Sequence, residues 1–162
     1  MGKLIVDKID RQIYCVSTPL VNVSNINNSS PAATKNCIST SPTFNVGGFT
    51  ISQANGITVP VPGLYMICYN CYMSSSVTRA SVIVTLFIQG IPQHFSAHGY
   101  IRSTNGHNNS SVGNTQIQYL QAGMTVNLAF QQNAALGTVA LVGANSHLAL
   151  AKIDWHSSEC DI

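Results

Sequence analysis

Apolar residues in this chain fall at alternate positions or in short unbroken runs, and no stretch holds a helical period over a useful length. Val126, Leu128 and Phe130 alternate with Asn127, Ala129 and Gln131, while Ile117 and Tyr119 alternate with Gln116 and Gln118. A two-residue period puts one set of side chains on one face of extended backbone, so both segments are predicted as half-buried strands. Residues 82–89, VIVTLFIQ, are almost continuously apolar and rich in β-branched side chains, which predicts a buried strand rather than a helix.

The chain is organised around residues 56–73, GITVPVPGLYMICYNCYM. Pro60 and Pro62 lack backbone donors and hold the chain extended, so they belong at a sheet edge or strand entrance, and residues 64–73 read as a strand beyond them. The local product is two strands joined at a Pro-Gly corner. Residues 43–51 carry Phe44, Val46, Phe49 and Ile51 around Gly47-Gly48, the pattern of strand, turn and strand. A short edge strand is expected over 92–97, further strands within 137–143 and 148–153, and a loop over 103–115, STNGHNNSSVGNT. Before residue 43, Ser, Thr, Asn and Pro dominate, giving an extended lead-in with a short strand over 13–16 and too little apolar sequence for a core of its own. The expected division is an arm and lead-in over 1–42, a domain over 43–154 and a tail over 155–162. About eight or more short strands with frequent turns and no helix specify an all-β, two-sheet antiparallel sandwich or jelly roll.

Charge alters this picture. Of 162 residues only 7 are Lys or Arg and 5 are Asp or Glu. No carboxylate side chain stands between Asp10 and Asp154, and Arg79 and Arg102 are the only formal charges from Asn36 to Ala151. A nucleic-acid partner is excluded, because phosphate neutralisation needs clustered basic groups. Membrane insertion is not expected either, since no apolar stretch reaches the length of a spanning helix and the charged N-terminus, MGKLIVDKIDRQ, does not resemble a cleaved signal. A surface so poor in charge fits an exterior of amides and hydroxyls combined with burial of one face in a closed homo-oligomer.

Five cysteines, Cys15, Cys37, Cys68, Cys71 and Cys160, make an odd number for a disulfide framework. On a strand, the spacing of Cys68 and Cys71 points them to opposite faces, which argues against a metal clamp or redox pair. His94 and His98 would converge on a helix but not on a strand. With no nucleophile elbow, phosphate loop or dinucleotide fingerprint, the reading is of a protein that is no enzyme, with no catalytic residues, metal or cofactor.

Residues 56–70 resemble the signature segment of the C1q-like domain in the C1q/tumour necrosis factor (TNF) superfamily, through Gly56, Val59, Pro60, Pro62, Gly63 and Tyr65. Residues 84–87 followed by Gly90 resemble the family's next strand, and residues 120–123 with Val126 and Leu128 resemble a later strand pair. Met124 departs from the family's usual Asp, and SHLALAKI replaces the familiar closing segment. The resemblance covers about residues 43–153. It implies a jelly roll, a compact homotrimer and recognition through surface loops, with no catalysis. The calcium sites of some relatives are not expected, because the domain lacks carboxylates.

On that resemblance Tyr65, Ile67 and Tyr69, which share one face of their strand, are expected at the trimer interface. A ligand site is expected around Tyr100, Arg102, Asn105, His107, Asn108 and Asn109, where amides, hydroxyls and an aromatic suit a neutral polar ligand such as a host glycan or surface receptor. The short arm and the Ser/Thr/Asn/Pro lead-in resemble the N-termini of small structural proteins of tailed bacteriophages. That implies a fibre, tail or capsid partner joined through the arm and a place on the virion surface; the alternatives are an extracellular C1q-like recognition protein and a purely structural surface-layer trimer.

Overall fold

The computed structural model describes residues 12–26, 37–76, 79–94, 96–102, 107–133 and 139–153. Among the described residues thirteen strands are formed: β1 (Cys15–Pro19), β2 (Val23–Ile26), β3 (Phe44–Val46), β4 (Thr50–Ser52), β5 (Gly56–Thr58), β6 (Gly63–Ser75), β7 (Ala80–Ile88), β8 (Ile91–Pro92), β9 (Ala97–Ile101), β10 (Asn109–Leu120), β11 (Thr125–Asn133), β12 (Val139–Leu141) and β13 (His147–Lys152). Among the described residues the only helical turn is the 3-10 turn Gly143–Asn145.

All the pairings are antiparallel and sort into two sheets. In the first, β3, β1, β13, β6 and β10 lie side by side, and β12 continues along β6 past the end of β13, with β2 on its outer side. In the second the order is β4, β5, β11, β7, and β7 then pairs with β8 near one end and β9 near the other. The Pro-Gly corner lies where the chain leaves β5 in the second sheet and enters β6 in the first. Its prolines fall between strands, where a missing donor breaks no ladder.

Between the sheets, Tyr65, Ile67, Met73, Leu86, Leu128, Phe130, Leu148 and Leu150 are almost wholly buried. Phe49 meets Tyr65 edge-on at 6.1 Å, and the Tyr65 hydroxyl donates to the Val61 carbonyl at 2.9 Å. A buried phenol with its polar end satisfied adds ring area to the core without stranding a hydroxyl. From Val84 to Ile88 every residue of β7 is buried, as its apolar run predicts.

Three expectations are corrected. The lead-in is part of the sandwich: β1 is flanked by β13 and β3, and Val16, Leu20, Ile26, Cys37 and Ile38 lie in the core. Its polar residues are accommodated because Ser17 alternates outward and the buried Thr18 hydroxyl donates to the Ser39 carbonyl at 2.7 Å. Residues 109–115 are strand, not loop, since β10 pairs with β6 along its whole length and that ladder outweighs the turn preference of Asn, Ser and Gly. The edge strand expected over 92–97 is replaced by β8 and β9 on either side of it. The arm before residue 12 and the tail from residue 154 lie outside the described residues.

Candidate functional site

Alternation along β6 sends Tyr65, Ile67 and Tyr69 into the core and Leu64, Met66 and Cys68 to the outer face of the first sheet. The ladder then fixes their neighbours. Ile117 of β10 stands opposite Met66 on one side and Ala151 of β13 on the other; Ala151 is opposite Cys15 of β1, and Cys15 is opposite Val46 of β3. Next to this row Tyr119 faces Leu64, and Phe44 stands opposite Ser17. Of the nine exposed large hydrophobics among the described residues, six share this face: Phe44, Val46, Leu64, Met66, Ile117 and Tyr119.

No Lys, Arg, Asp or Glu interrupts the row from Val46 to Ile117 or the pair Leu64 and Tyr119. Towards the other end of β6 the face turns polar, with Asn70 flanked by Gly113 and His147, and Tyr72 opposite Ser111. Contiguous exposed apolar area of this kind marks an association surface, because a single soluble chain keeps such patches small.

The expected interface residues are therefore corrected. Tyr65 and Ile67 are 0% exposed and Tyr69 is 2% exposed within the single chain, so they have no surface to offer a neighbour. Burial, together with the nearby Cys71, pushes the Tyr69 phenol up to about 12, and its hydroxyl lies 3.5 Å from the Val84 carbonyl, which it faces as donor. Both rows of β6 are apolar enough to be core, and the sequence holds no local signal that ranks Tyr-Ile-Tyr inside and Leu-Met outside.

The expected ligand residues occupy the ends of β9 and β10. Tyr100 stands 56% exposed on β9, and Arg102, His107, Asn108 and Asn109 are all exposed. The Asn108 carbonyl accepts from the Ser75 amide at 2.9 Å, tying the start of β10 to the end of β6. Asn105 lies outside the described residues. Behind this end the two sheets touch: a Cβ on Gly99 of β9 would run into the Val112 side chain of β10, so only glycine permits the approach.

Cys68 is half-buried on the outer face and Cys71 is buried in the core, on opposite sides of the strand as their spacing requires. Burial pushes the Cys37 thiol up to about 12 and raises Cys71 as well, so both stay protonated and unreactive at neutral pH. Cys37 Sγ lies 3.7 Å from the Leu128 carbonyl, within donating range. Among the described residues no three His, Cys, Asp or Glu gather as metal ligands, and no helix is long and apolar enough to cross a membrane.

No family model and no curated protein matches the sequence. The fold does align with solved structures. Eiger TNF from S. frugiperda superposes with a TM-score of 0.60 at 16% identity, covering 94% of this chain and 100% of that one. Murine APRIL at pH 8.0 gives 0.54 at 17% identity over 86% of this chain and 99% of that one, and murine APRIL at pH 5.0 gives 0.54 at 15% identity over 88% and 100%. The chain has the C1q/TNF-like jelly-roll fold, and the likeness begins well before residue 43.

Proposed function

We propose that this chain is a non-enzymatic homotrimeric display domain, held together through the outer face of its first sheet and presenting its loops for recognition. The observation that carries the proposal is the uncharged apolar face built from Val46, Leu64, Met66, Ile117 and Tyr119. Association there removes hydrophobic side chains from water without stripping solvent from any ion, so the favourable term is not offset by desolvated charge. The C1q/TNF resemblance supplies the threefold arrangement.

In the fuller form of the proposal the trimer is a virion or fibre head, joined to fibre, tail or capsid proteins through its N-terminal arm. Its exposed residues Tyr100, Arg102, His107, Asn108 and Asn109 then face a host glycan or surface receptor. What supports a recognition role is an exposed aromatic beside amides, in a chain with almost no competing charge. The same trimer in an extracellular setting is a C1q-like soluble recognition protein.

Multi-angle light scattering of the purified chain tests the assembly, with a mass near three times 17.3 kDa expected. A monomer across the accessible concentration range refutes it. Antibody labelling of particles tests the virion setting, and loss of glycan-array signal in Tyr100→Ala tests the recognition residues. Neither outcome depends on the trimer result.

A further inference from the structure

β10 forms one border of the first sheet. It pairs with β6 alone, residue for residue from Asn109 to Leu120 with no shift of register. Among the described residues the other bordering strands, β2, β3, β4, β8 and β9, run to 5 residues at most, against 12 in β10. The parity of the ladder shows which groups β10 turns outward. The Ser75 amide donates to the Asn108 carbonyl, and bonded and unbonded positions alternate along an antiparallel pair, so the even residues of β10 bond β6 and the odd ones point away from it. Ser111, Gly113, Thr115, Ile117 and Tyr119 therefore present amides and carbonyls along the border, with no backbone partner among the described residues. Thr115 agrees with this parity, since its amide donates to Asn114 Oδ1 at 2.8 Å.

Water satisfies such groups in a single chain, so their exposure alone means nothing. What sets β10 apart is that it lacks every usual guard. Edge strands are kept from pairing by a charge, a proline, a bulge or brevity. Residues 109–120, NSSVGNTQIQYL, have none of these. A second observation lies just inside the border. Gln116 belongs to the even row that turns towards the second sheet, and both of its side-chain amide atoms are buried with no hydrogen-bond partner among the described residues. An amide stranded in that position costs stability that a neighbouring strand would return.

We infer that β10 pairs antiparallel with β10 of a second copy about a twofold axis at Thr115, joining two first sheets edge to edge. In that register Thr115 faces the partner's Thr115, Ile117 the partner's Gly113 and Tyr119 the partner's Ser111, so every outward amide and carbonyl from 111 to 119 finds a mate. Glycine leaves room for the Ile117 branch, and facing threonines are favourable neighbours. Asn114 and the partner's Gln116 then form an unbonded pair, the kind whose side chains stand closest. The Thr115 amide passes to the partner's carbonyl, which frees Asn114 Oδ1 to accept from the amide of the partner's Gln116. With the axis at Asn114 instead, Gln116 would face the partner's Val112 and its amide would stay stranded, so the register is selected. The two copies meet with no charge to repel them. The contact does not rest on the trimer proposal, since it uses the edge backbone and not the outer face. One strand pair covers less than the roughly 1,200 Å² of a stable interface, so it forms at high local concentration.

Sedimentation velocity and amide hydrogen exchange of the full chain, from micromolar to near-millimolar concentration, test the pairing. The expected result is a doubling of mass at the upper end, trimer to hexamer where the face assembly holds and single chain to dimer where it does not, so failure of either contact leaves the other readable. As the mass doubles, the Gly113, Ile117 and Tyr119 amides should exchange about tenfold more slowly. Thr115→Lys sets two ammonium groups at the axis, and Thr115→Pro removes an amide that the β6 ladder does not use. Each should raise the concentration needed for doubling at least about tenfold, while the even-numbered amides of β10 keep their protection. No doubling and no concentration-dependent protection overturns the inference. So does doubling that persists in both Thr115 variants, and so does protection that vanishes in Met66→Lys, which assigns it to the apolar face.

Discussion

The sharpest consequence of the apolar face concerns Ile117. It stands 60% exposed on β10, opposite Met66, with its side chain away from the core. Ile117→Ala removes three carbons, worth about 2.4 kcal/mol if wholly transferred from water at about 0.8 kcal/mol per CH₂. Within one chain 60% of the residue remains available for burial by a neighbour, so the loss at a trimer contact is about 1.4 kcal/mol per chain and about 4 kcal/mol for three. That corresponds to roughly a thousandfold weaker trimer. The chain's own fold should change by less than about 0.5 kcal/mol, because the substitution touches no core contact. Light scattering across a dilution series reads the first quantity, and chemical denaturation of the dissociated chain reads the second. Ile91→Ala is the control: Ile91 is 65% exposed on β8 of the other sheet and should leave assembly unaltered. If Ile117→Ala and Ile91→Ala shift the dissociation midpoint equally, the face has no special role and the reasoning fails.

Tyr65→Ala should cost about 3–5 kcal/mol of folding stability, since it empties a fully buried ring position, while Tyr65→Phe should cost about 1 kcal/mol for the lost bond to Val61; thermal melts check both. Gly99→Ala should destabilise the chain and be rescued by Val112→Ala, which removes the obstructing methyls, as a double-mutant cycle would reveal. Thiol labelling of the dissociated folded chain should reach Cys15 and Cys68, which the proposed assembly would shield, and spare Cys37 and Cys71 until denaturant is added, read by mass spectrometry of peptides. Cys37 also sets an alkaline limit. Its native pKa lies near 12 against an ordinary 9.0, so the unfolded chain releases the proton first, and the stability it contributes is intact below pH 9 and declines as pH rises from about 9 towards 12. Melting temperatures should fall over that window, and less steeply in Cys37→Ala.

Much of the sandwich was legible because strands with a committed inner face announce themselves. The alternation of Val126, Leu128 and Phe130 and the unbroken run of β7 both landed where the pattern put them. The corner at Pro60, Pro62 and Gly63 was legible too, since missing donors and a glycine constrain backbone whatever the neighbours are. What was hidden depended on distant partners. β1 is recruited by β13, more than a hundred residues away, and its Ser, Thr and Pro give no local sign of that ladder. Residues 109–115 carry turn-forming side chains on a strand whose register is imposed by β6. The interface assignment failed for a related reason. The aromatic row of β6 drew the interface assignment, yet large rings fill a core as well as they join subunits, and only the partner sheet decides which.

The two rows of β6 can be separated by one property that a single measurement supplies. Tyr65 and its row stabilise the folded chain itself, so their substitutions should shift the melting temperature equally at all protein concentrations. Leu64, Met66 and the facing Ile117 act, on the proposed assembly, only when chains meet, so their substitutions should matter more at high concentration than at low, where dissociated chains dominate. The scarcity of charge sharpens the contrast. Lys152 of β13 stands opposite Tyr65, but no Lys, Arg, Asp or Glu lies in the outer row from Val46 to Ile117, so added salt should leave the concentration-dependent shift of that row in place. A Met66→Lys chain carries the argument to its limit: one ammonium group per chain in the middle of the face should hold the protein monomeric while its dilute melting temperature stays within a few degrees of the parent, whereas an equal loss of stability at every dilution would place Met66 in the core's service and remove the face from the assembly.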